Sequence, residues 1–341
     1  MNKDTRLELL KHWVHQDMPD ATIEVASADA SFRRYFRVTH DAKTIIAMDA
    51  PPDQEDCAPF IDITQRLRNA NVHAPEIIKQ DLKQGFLLLE DFGDTPYLNA
   101  LNEKTADKLY GEALQSLIKI QQADATNLPE YNDDFLQTEM KLMPEWFLAK
   151  HLGITPSTEQ QKTIERIFNV ISTTVLQQPQ VFVHRDYHSR NLMVLNNNPA
   201  GSIGIIDYQD AVLGPITYDL VSLLRDCYIS WPNEKTTRWA LDFKQQAENA
   251  GLMDKVPDAT FIQWFDYMGL QRHIKVLGIF ARLNHRDGKA NYLDDLPLTL
   301  KYVMEVGNKY PLTRPLVTLF NEWDVTKKID NLNDGNNNES K

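Results

Sequence analysis

The order of apolar runs and polar side chains between residues 181 and 210 limits the folds open to this chain more than any other feature. An apolar run at 181–183 leads into the polar segment HRDYHSR at 184–190. Two further apolar runs, at 192–195 and 202–206, flank three consecutive asparagines. Short apolar runs bounded by turn residues are typical of buried strands. The pattern predicts a strand, a loop and a hairpin, and the hairpin would return Asp207 to the loop.

Three polar side chains stand at the ends of these predicted strands: Asp186, Asn191 and Asp207. Phosphoryl transfer needs positioning and charge neutralisation more than covalent chemistry, and these groups can supply both. We expect Asp186 to accept the proton of an attacking hydroxyl. We expect Asn191 and Asp207 to hold Mg²⁺ against the phosphates of ATP. The alternative is a surface loop with scattered acids, closed by a hairpin.

The motif HxDxxxxN, followed by a strand that ends in Ile-Asp, resembles the aminoglycoside phosphotransferase and choline kinase superfamily. Other stretches are similar to the kinases that phosphorylate N-acetylmuramate and N-acetylglucosamine at the anomeric C1 hydroxyl during peptidoglycan recycling. These stretches are SFRRYFR (31–37), MDAPP (48–52), LEDFGD (89–94) and QRHIKVLGIFARL (271–283). The resemblance covers residues 27–297, which is most of the chain.

The resemblance implies an α+β, bilobal protein-kinase-like fold, with a small antiparallel β-sheet lobe and a larger, mainly helical lobe. It places a nucleotide-binding lobe at residues 1–93, a hinge near 89–93 and a catalytic and substrate lobe at 94–326. The implied activity is that of an ATP- and Mg²⁺-dependent amino-sugar kinase. An aminoglycoside or choline-type kinase is the alternative within this class. A nucleotide-binding pseudokinase that regulates a partner is the alternative from another class.

The hinge of this fold reads the adenine edge through main-chain groups, which makes Glu90 and Phe92 candidates for nucleotide contact. Residues 91–93 spell Asp-Phe-Gly, the metal-binding tripeptide of protein kinases. They precede the catalytic loop, whereas the metal-binding Asp must follow it. We therefore assign the metal-binding role to Asp207 and regard the tripeptide as a coincidence.

The predicted phosphate-binding loop departs from the family pattern. Residues 27–31 contain no glycine, and Met48 stands where the ATP-binding lysine is expected. The main-chain amides of this loop and the hydroxyl of Ser31 remain candidates for phosphate contact. Some cation must still neutralise phosphate charge, and the nearest ones are Arg33, Arg34 and Lys43. Because side chains alternate along a strand, we expect at most one of the two arginines to face ATP. The alternative is that both only solubilise an exposed strand.

Residues 271–289 carry five basic side chains and one acidic one, in a chain whose net charge is −12. On a helical wheel of about 100° per residue, four of the basic side chains share one face. These are Arg272, Lys275, Arg282 and Arg286. One interpretation is a surface that attracts an anionic sugar, with Arg272, Lys275 and Arg282 as substrate contacts. The other is an ordinary solvated helix face. His188, two residues after Asp186, is a further candidate for substrate contact.

Composition excludes several classes of function. The net charge of −12 disfavours general nucleic-acid binding. Two cysteines, Cys57 and Cys227, argue against a disulfide scaffold. The absence of a run of 18 apolar residues and of an early basic region followed by an apolar run disfavours membrane spans and a signal peptide. We expect a cytoplasmic enzyme that acts on a small-molecule sugar.

Beyond the small lobe the pattern is mostly helical. Apolar periodicity predicts helices at 103–123, 133–151, 158–177, 216–229, 235–250, 260–286 and 297–306. The last stretch, residues 327–341, is polar, rich in asparagine and free of aromatic residues. Its composition predicts a disordered tail.

Overall fold

The computed structural model describes residues 4–28, 32–195 and 203–339. The chain divides into two compact units. The first contains Met1–Thr105 and Arg190–Ala211, and the second contains Ala106–Ser189 and Val212–Lys341. The predicted boundary near residue 93 therefore falls inside the first unit, and the predicted hairpin after the catalytic loop joins the first unit rather than the second.

The described residues form short strands and a larger number of helices. The strands are β1 (Thr22–Ala28), β2 (Arg34–His40), β3 (Lys43–Asp49), β4 (Ile77–Asp81), β5 (Phe86–Glu90), β6 (Gln180–Val183), β7 (Leu192–Val194), β8 (Ile203–Ile205) and β9 (Val212–Pro215).

The α-helices are α1 (Thr5–His15), α2 (Ala58–Asn69), α3 (Tyr97–Ala100), α4 (Ala106–Gln121), α5 (Asp133–Met140), α6 (Thr158–Val175), α7 (Tyr218–Leu224), α8 (Asn233–Asn249), α9 (Asp258–Asp287), α10 (Leu296–Lys309), α11 (Arg314–Glu322) and α12 (Val325–Glu339). A π-helical segment spans Met143–His151, and a 3₁₀-helix spans Ala290–Asp295.

The first unit is built on a five-stranded antiparallel sheet with the strand order β1-β2-β3-β5-β4. Side chains alternate between its two faces. One face packs against α1 through Phe36, Val38, Ala47 and Leu88, which are buried together with Trp13. The predicted small antiparallel sheet is confirmed. β4, with the sequence IIKQD, is an edge strand and ends in polar residues, which an edge strand tolerates.

The second unit is organised around α9. This helix has 30 residues, and nearly every side chain between Phe265 and Ala281 is buried. It packs against the π-helical segment and against α5, α6, α7, α8 and α10. A helix enclosed on all sides has no solvated face. The separate basic face that the helical wheel predicts therefore does not exist at the centre of α9. Within the described residues no helix is both long and apolar enough to cross a membrane.

The predicted helix at 133–151 is divided. α5 ends at Met140, and the chain continues as the π-helical segment, with Pro144 in its first turn. Proline has no amide hydrogen to donate and clashes with the preceding turn of an α-helix, so it favours a break at this point. The prediction considered only the α-helical period, and therefore it did not reveal the change.

The tail predicted to be disordered contains a helix over most of its length, and its last two residues, 340 and 341, lie outside the described residues. Residues from Val325 to Glu339 form α12, which packs against α10 and α11. Val325 and Ile329 are buried, although the surrounding sequence is polar. Two apolar side chains spaced four residues apart lie on the same helix face. Their burial gives this segment an anchor that its overall composition does not indicate.

The contact between α9 and the π-helical segment depends on Gly278. A Cβ atom at this position would lie 2.4 Å from the main-chain carbon of Leu142. We predict that Gly278→Ala lowers the free energy of unfolding by about 1–3 kcal/mol, as overpacking does. Urea denaturation measures the change.

Gly111 in α4 is the matched control, because nothing lies within 4 Å of a Cβ built there. We expect Gly111→Ala to raise the free energy of unfolding by about 0.5–1 kcal/mol, since alanine loses less backbone entropy in a helix. Equal effects of the two substitutions would show that the close approach at Gly278 does not limit packing.

Candidate active site

A cavity of about 510 Å³ opens on the face of the sheet opposite α1. This volume lies within the usual range for small-molecule sites. The strands supply Tyr35, Arg37, Ile46 and Leu89 to its wall. The remaining lining comes from the segments around β5, β7 and β8: Glu90, Asp91, Phe92, Gly93, Asp94, Pro96, Arg190, Asn191, Met193, Ile206, Asp207 and Tyr208 line it, together with Ala26, Phe60 and Pro75. The first unit therefore contains a mixed apolar and polar pocket at the place predicted for the nucleotide.

Glu90 and Phe92, the predicted hinge residues, both line this cavity. The Glu90 carboxylate accepts hydrogen bonds from the His73 ring (2.9 Å) and from the Glu76 amide (3.2 Å). The His73 bond lowers the pKa of Glu90 despite partial burial. Phe92 packs so closely on β8 that a Cβ at Gly204 would lie 2.5 Å from its ring. The side chains thus shape the pocket wall, which is consistent with nucleotide reading through main-chain groups.

Arg37 also lines the cavity, and sequence reasoning did not select it. Its guanidinium donates to Asp91 at 2.7 and 3.0 Å and to Asp94 at 2.6 Å. Burial of Asp91 opposes its ionisation, but the bonds from Arg37 and from the Gly93 amide hold its pKa below the usual value. The Asp of the Asp-Phe-Gly tripeptide is therefore bound to arginine. Local sequence patterns do not reveal this pairing, because β2 and the hinge are far apart in sequence.

The two arginines predicted near the phosphates have different environments. Arg34 pairs with Asp49 (2.5 Å) and with Asp4, and its guanidinium lies over the Phe36 ring. It therefore lies on the face of the sheet that packs against α1. Arg33 is buried and pairs with Glu55 at 3.1 Å. Arg33 is therefore the better candidate of the two for contact with the ATP phosphates.

Two other predictions for the phosphate-binding region concern Met48, at the lysine position, and Ser31. Met48 is fully buried on β3. It lies two residues from Ile46 and therefore on the face of the sheet that bears the cavity. Ser31, the predicted phosphate contact, lies outside the described residues. No cation occupies the lysine position of β3, so another side chain must supply positive charge if phosphate binds here.

Asn191 and Asp207 are brought together at the start and end of the β7–β8 hairpin. The Asn191 amide donates to Asp207 Oδ2 at 3.1 Å, and both side chains line the cavity. Asp207 has a left-handed backbone (φ 65°), and Gln209 donates to its other oxygen at 2.9 Å. Side-chain oxygens of Asp and Asn suit Mg²⁺, which is usually held by one or two carboxylates plus phosphate and water. The pair fits that donor set.

The catalytic loop begins in the second unit, at the end of β6. The carboxylate of Asp219, in the first turn of α7, accepts the amides of His184 (2.7 Å) and Arg185 (3.0 Å). Asp219 is fully buried, and burial raises its pKa to about 7. Asp219 therefore braces the start of the catalytic loop. The Asp186 amide in turn donates to His184 Nδ1 at 3.2 Å, so His184 is also a loop brace.

Arg185, the residue before Asp186, has a left-handed backbone (φ 77°). A non-glycine residue in this conformation typically costs about 1–3 kcal/mol and persists only where the surroundings fix it. Asp186 itself is partly exposed. Burial opposes its ionisation, but the nearby His188 ring and the positive charges of Arg272, Lys275 and Arg185 keep its pKa below the usual value. An ionised carboxylate is the form that can accept a proton from a hydroxyl.

The predicted substrate contacts on α9 are not a solvated surface. Arg272 and Lys275 are buried, whereas Arg282 is half-buried and Arg286 is exposed. Lys275 Nζ contacts Glu139 at 2.7 Å and donates to the Tyr218 hydroxyl at 2.9 Å. The buried centre of α9 places these cations among protein groups. The solvated-face alternative is therefore wrong for Arg272 and Lys275, because the helical wheel assumes that one face lies in water.

Glu139 is a member of this site that sequence reasoning missed. It accepts from Arg185 Nη2 at 3.0 Å and from the Tyr131 hydroxyl, in addition to Lys275. Although burial opposes ionisation, Lys275 and its other partners hold the pKa of Glu139 below the usual value. Nothing in the sequence near Glu139 indicates its two charged partners, which come from the catalytic loop and from α9.

Comparison with known proteins agrees with these features. A model of the phosphotransferase enzyme family matches residues 22–257. An N-acetylmuramate/N-acetylglucosamine kinase of Pseudomonas putida is 42% identical over 90% of this chain and 94% of its own. A kinase of the same name from Neisseria meningitidis is 40% identical over 92% and 94% of the two chains. An ADP-bound aminoglycoside phosphotransferase shares the fold, with a TM-score of 0.58 and 13% identity over 87% of this chain and 98% of its own. The chain therefore belongs to the phosphotransferase enzyme family.

Proposed function

We propose that this protein is an ATP- and Mg²⁺-dependent kinase that phosphorylates N-acetylmuramate and N-acetylglucosamine at the anomeric C1 hydroxyl. The observation that carries the proposal is the 42% identity to a kinase of that name across nine tenths of the chain. The loop geometry around Asp186 and the pairing of Asn191 with Asp207 support the same chemistry. A kinase acts in the compartment that contains ATP. The proposal therefore implies a cytoplasmic enzyme of amino-sugar recycling.

The described residues divide the chemistry among themselves. Asp186, ionised at neutral pH, orients the sugar hydroxyl and accepts its proton. Asn191 and Asp207 would hold magnesium, which when bound supplies charge neutralisation for the transferring phosphoryl group. The apolar wall of the cavity, with Ile46, Leu89 and Met193, suits the adenine ring. His188 remains our proposed acceptor contact. It is partly exposed and lies edge-on to Tyr228, with 5.4 Å between ring centroids.

The proposed function is tested by assaying ADP formation with N-acetylmuramate, N-acetylglucosamine, an aminoglycoside and choline, with magnesium and with a chelator. The product is then examined by phosphorus NMR. We expect turnover with both amino sugars, dependence on magnesium, and a phosphate coupled to the anomeric proton. Turnover with choline or the aminoglycoside alone would replace the proposed substrate class. Nucleotide binding without turnover on any acceptor would favour the pseudokinase alternative.

The assignment of Asp186 predicts a defect in chemistry rather than in binding. Asp186→Asn keeps the size of the side chain but removes the proton acceptor. We expect kcat to fall by at least ~10²-fold, the lower end of the general-base range, with little change in ATP affinity. Steady-state kinetics and nucleotide titration measure the two quantities. A near-wild-type kcat, with chemistry shown to be rate-limiting, would contradict the assignment.

The different environments of Arg33 and Arg34 predict an asymmetry in nucleotide binding. If Arg33 supplies the charge that Met48 cannot, Arg33→Ala should raise the KM for ATP by about tenfold or more, a loss typical of a charge-assisted contact. Arg34→Ala should leave that KM within about twofold, because Arg34 is bound to Asp49 on the opposite face of the sheet.

Arg34→Ala is thus the matched control for Arg33→Ala. Its effect should appear in the free energy of unfolding instead, since it leaves the buried Asp49 with one fewer partner. Equal and small effects of both substitutions on the ATP KM would move the search to Lys43 or to another cation.

A further inference from the structure

The peptide group that joins Arg185 to Asp186 is held at both of its polar atoms. Its N–H, from Asp186, donates to His184 Nδ1 at 3.2 Å. Its carbonyl, from Arg185, accepts from Arg272 Nη1 at 3.1 Å. A peptide group fixed at both ends has little freedom to rotate, so the position of the Asp186 Cα atom in the same plane is fixed as well. That atom carries the side chain whose carboxylate is the proposed proton acceptor.

Arg272 is costly for the protein to maintain. Its side chain is 5% exposed, and its Nε has no hydrogen-bond partner among the described residues. The same Nη1 also contacts the Tyr218 hydroxyl at 3.3 Å, and the guanidinium lies 5.5 Å from the centre of the Tyr218 ring. Burying a cation is unfavourable unless specific partners compensate, and an apolar residue of similar volume would fill the space more cheaply. Packing alone therefore does not explain why a buried arginine makes these hydrogen bonds.

The side chain of Arg185 is anchored separately from its main chain. Glu139 binds it at 3.0 Å and is itself bound by Lys275 at 2.7 Å. The guanidinium of Arg185 also lies over the Phe135 ring, 5.1 Å from its centre. Arg185 is therefore held through its amide, its carbonyl and its side chain. Together these contacts can stabilise a left-handed conformation that a non-glycine residue would otherwise leave.

We propose that Arg272 is a positioning residue for catalysis, which fixes the orientation of Asp186 through the carbonyl of Arg185 and does not contact the substrate. Lys275 acts one step further away, because it secures Glu139 and thereby the Arg185 side chain. The inference rests on the proposed kinase function for its catalytic readout. It replaces the sequence-based interpretation in which Arg272 and Lys275 bind an anionic sugar.

The charge of Arg272 supports this role. Asp186 faces the cations Arg185, Arg272 and Lys275, the ring of His188 and the carboxylate of Asp219. Removing Arg272 deletes one of the positive charges that favour ionised Asp186. The acid limb of the pH profile of kcat should therefore move to higher pH in a variant without this charge, and should stay near its wild-type position in Arg272→Lys.

The test compares Arg272→Ala, Arg272→Lys and a control, Arg225→Ala. Arg225 is largely buried and pairs with Asp266 on α9 at 2.6 Å, and its side chain has no contact with the catalytic loop among the described hydrogen bonds and ion pairs. We expect kcat of Arg272→Ala to fall about 10²-fold, as misplacement of a catalytic group can cause. The KM values for ATP and for the sugar should stay within about threefold of wild type.

Added guanidinium should restore part of the kcat of Arg272→Ala with saturation. Added guanidinium should not change the kcat of folded Arg225→Ala. This variant should retain wild-type kcat while losing stability. Arg272→Lys keeps the charge and is the variant to use if Arg272→Ala does not fold. We expect it to show an intermediate kcat, with faster hydrogen exchange at the amides of residues 184–186.

Two results would overturn the proposal. The first is a folded Arg272→Ala or Arg272→Lys variant with wild-type kcat and unchanged exchange at residues 184–186. The second is a selective rise in the sugar KM at constant kcat, which would make Arg272 a substrate contact. Failure of the proposed function is seen separately, as lack of turnover by the wild type with either amino sugar. The comparison is then made with whichever acceptor the wild type uses, and the exchange measurement does not depend on turnover.

Discussion

The two hydrogen bonds accepted by Asp219 are the constraint on which the catalytic loop depends. One buried carboxylate at the start of α7 binds two consecutive amides, those of His184 and Arg185. Two amides that point to the same side chain fix the local backbone, because consecutive extended residues would direct them in opposite directions. The backbone at His184 is thereby fixed, and Arg185, which follows it with a left-handed conformation, leads directly into Asp186.

The second unit places several ionisable groups in its interior to meet this constraint. Glu139, Asp219, Arg272 and Lys275 are all at most 7% exposed. Buried ion pairs seldom add stability compared with apolar packing, but the loss of one partner leaves an uncompensated charge. Their arrangement around the loop is therefore better explained by the geometry of Asp186 than by the stability of the unit. The exposed end of α9, with Arg286, follows the ordinary rule for a solvated helix terminus.

The parts of the fold that the sequence predicted are those with local signals. The hairpin that unites Asn191 with Asp207 was predictable, because two short apolar runs flank a turn. The contacts of Arg37 with Asp91 and of Arg272 with the loop were not, because their partners are 54 and 87 residues away. Local periodicity carries no information on such pairs. The helix α12 was missed for a related reason, since it is anchored by contacts with α10 and α11.

The central claim, that Asp219 sets the geometry of the catalytic loop, is tested most directly by Asp219→Asn. This change keeps the shape of the side chain but replaces one acceptor oxygen with an NH₂ group, which faces an amide donor. Amide hydrogen exchange at His184 and Arg185 should become faster, and kcat should fall by at least about tenfold, equivalent to ~1.4 kcal/mol. Nucleotide affinity should be unchanged, because the cavity lies in the first unit. Wild-type exchange together with wild-type kcat would contradict the account.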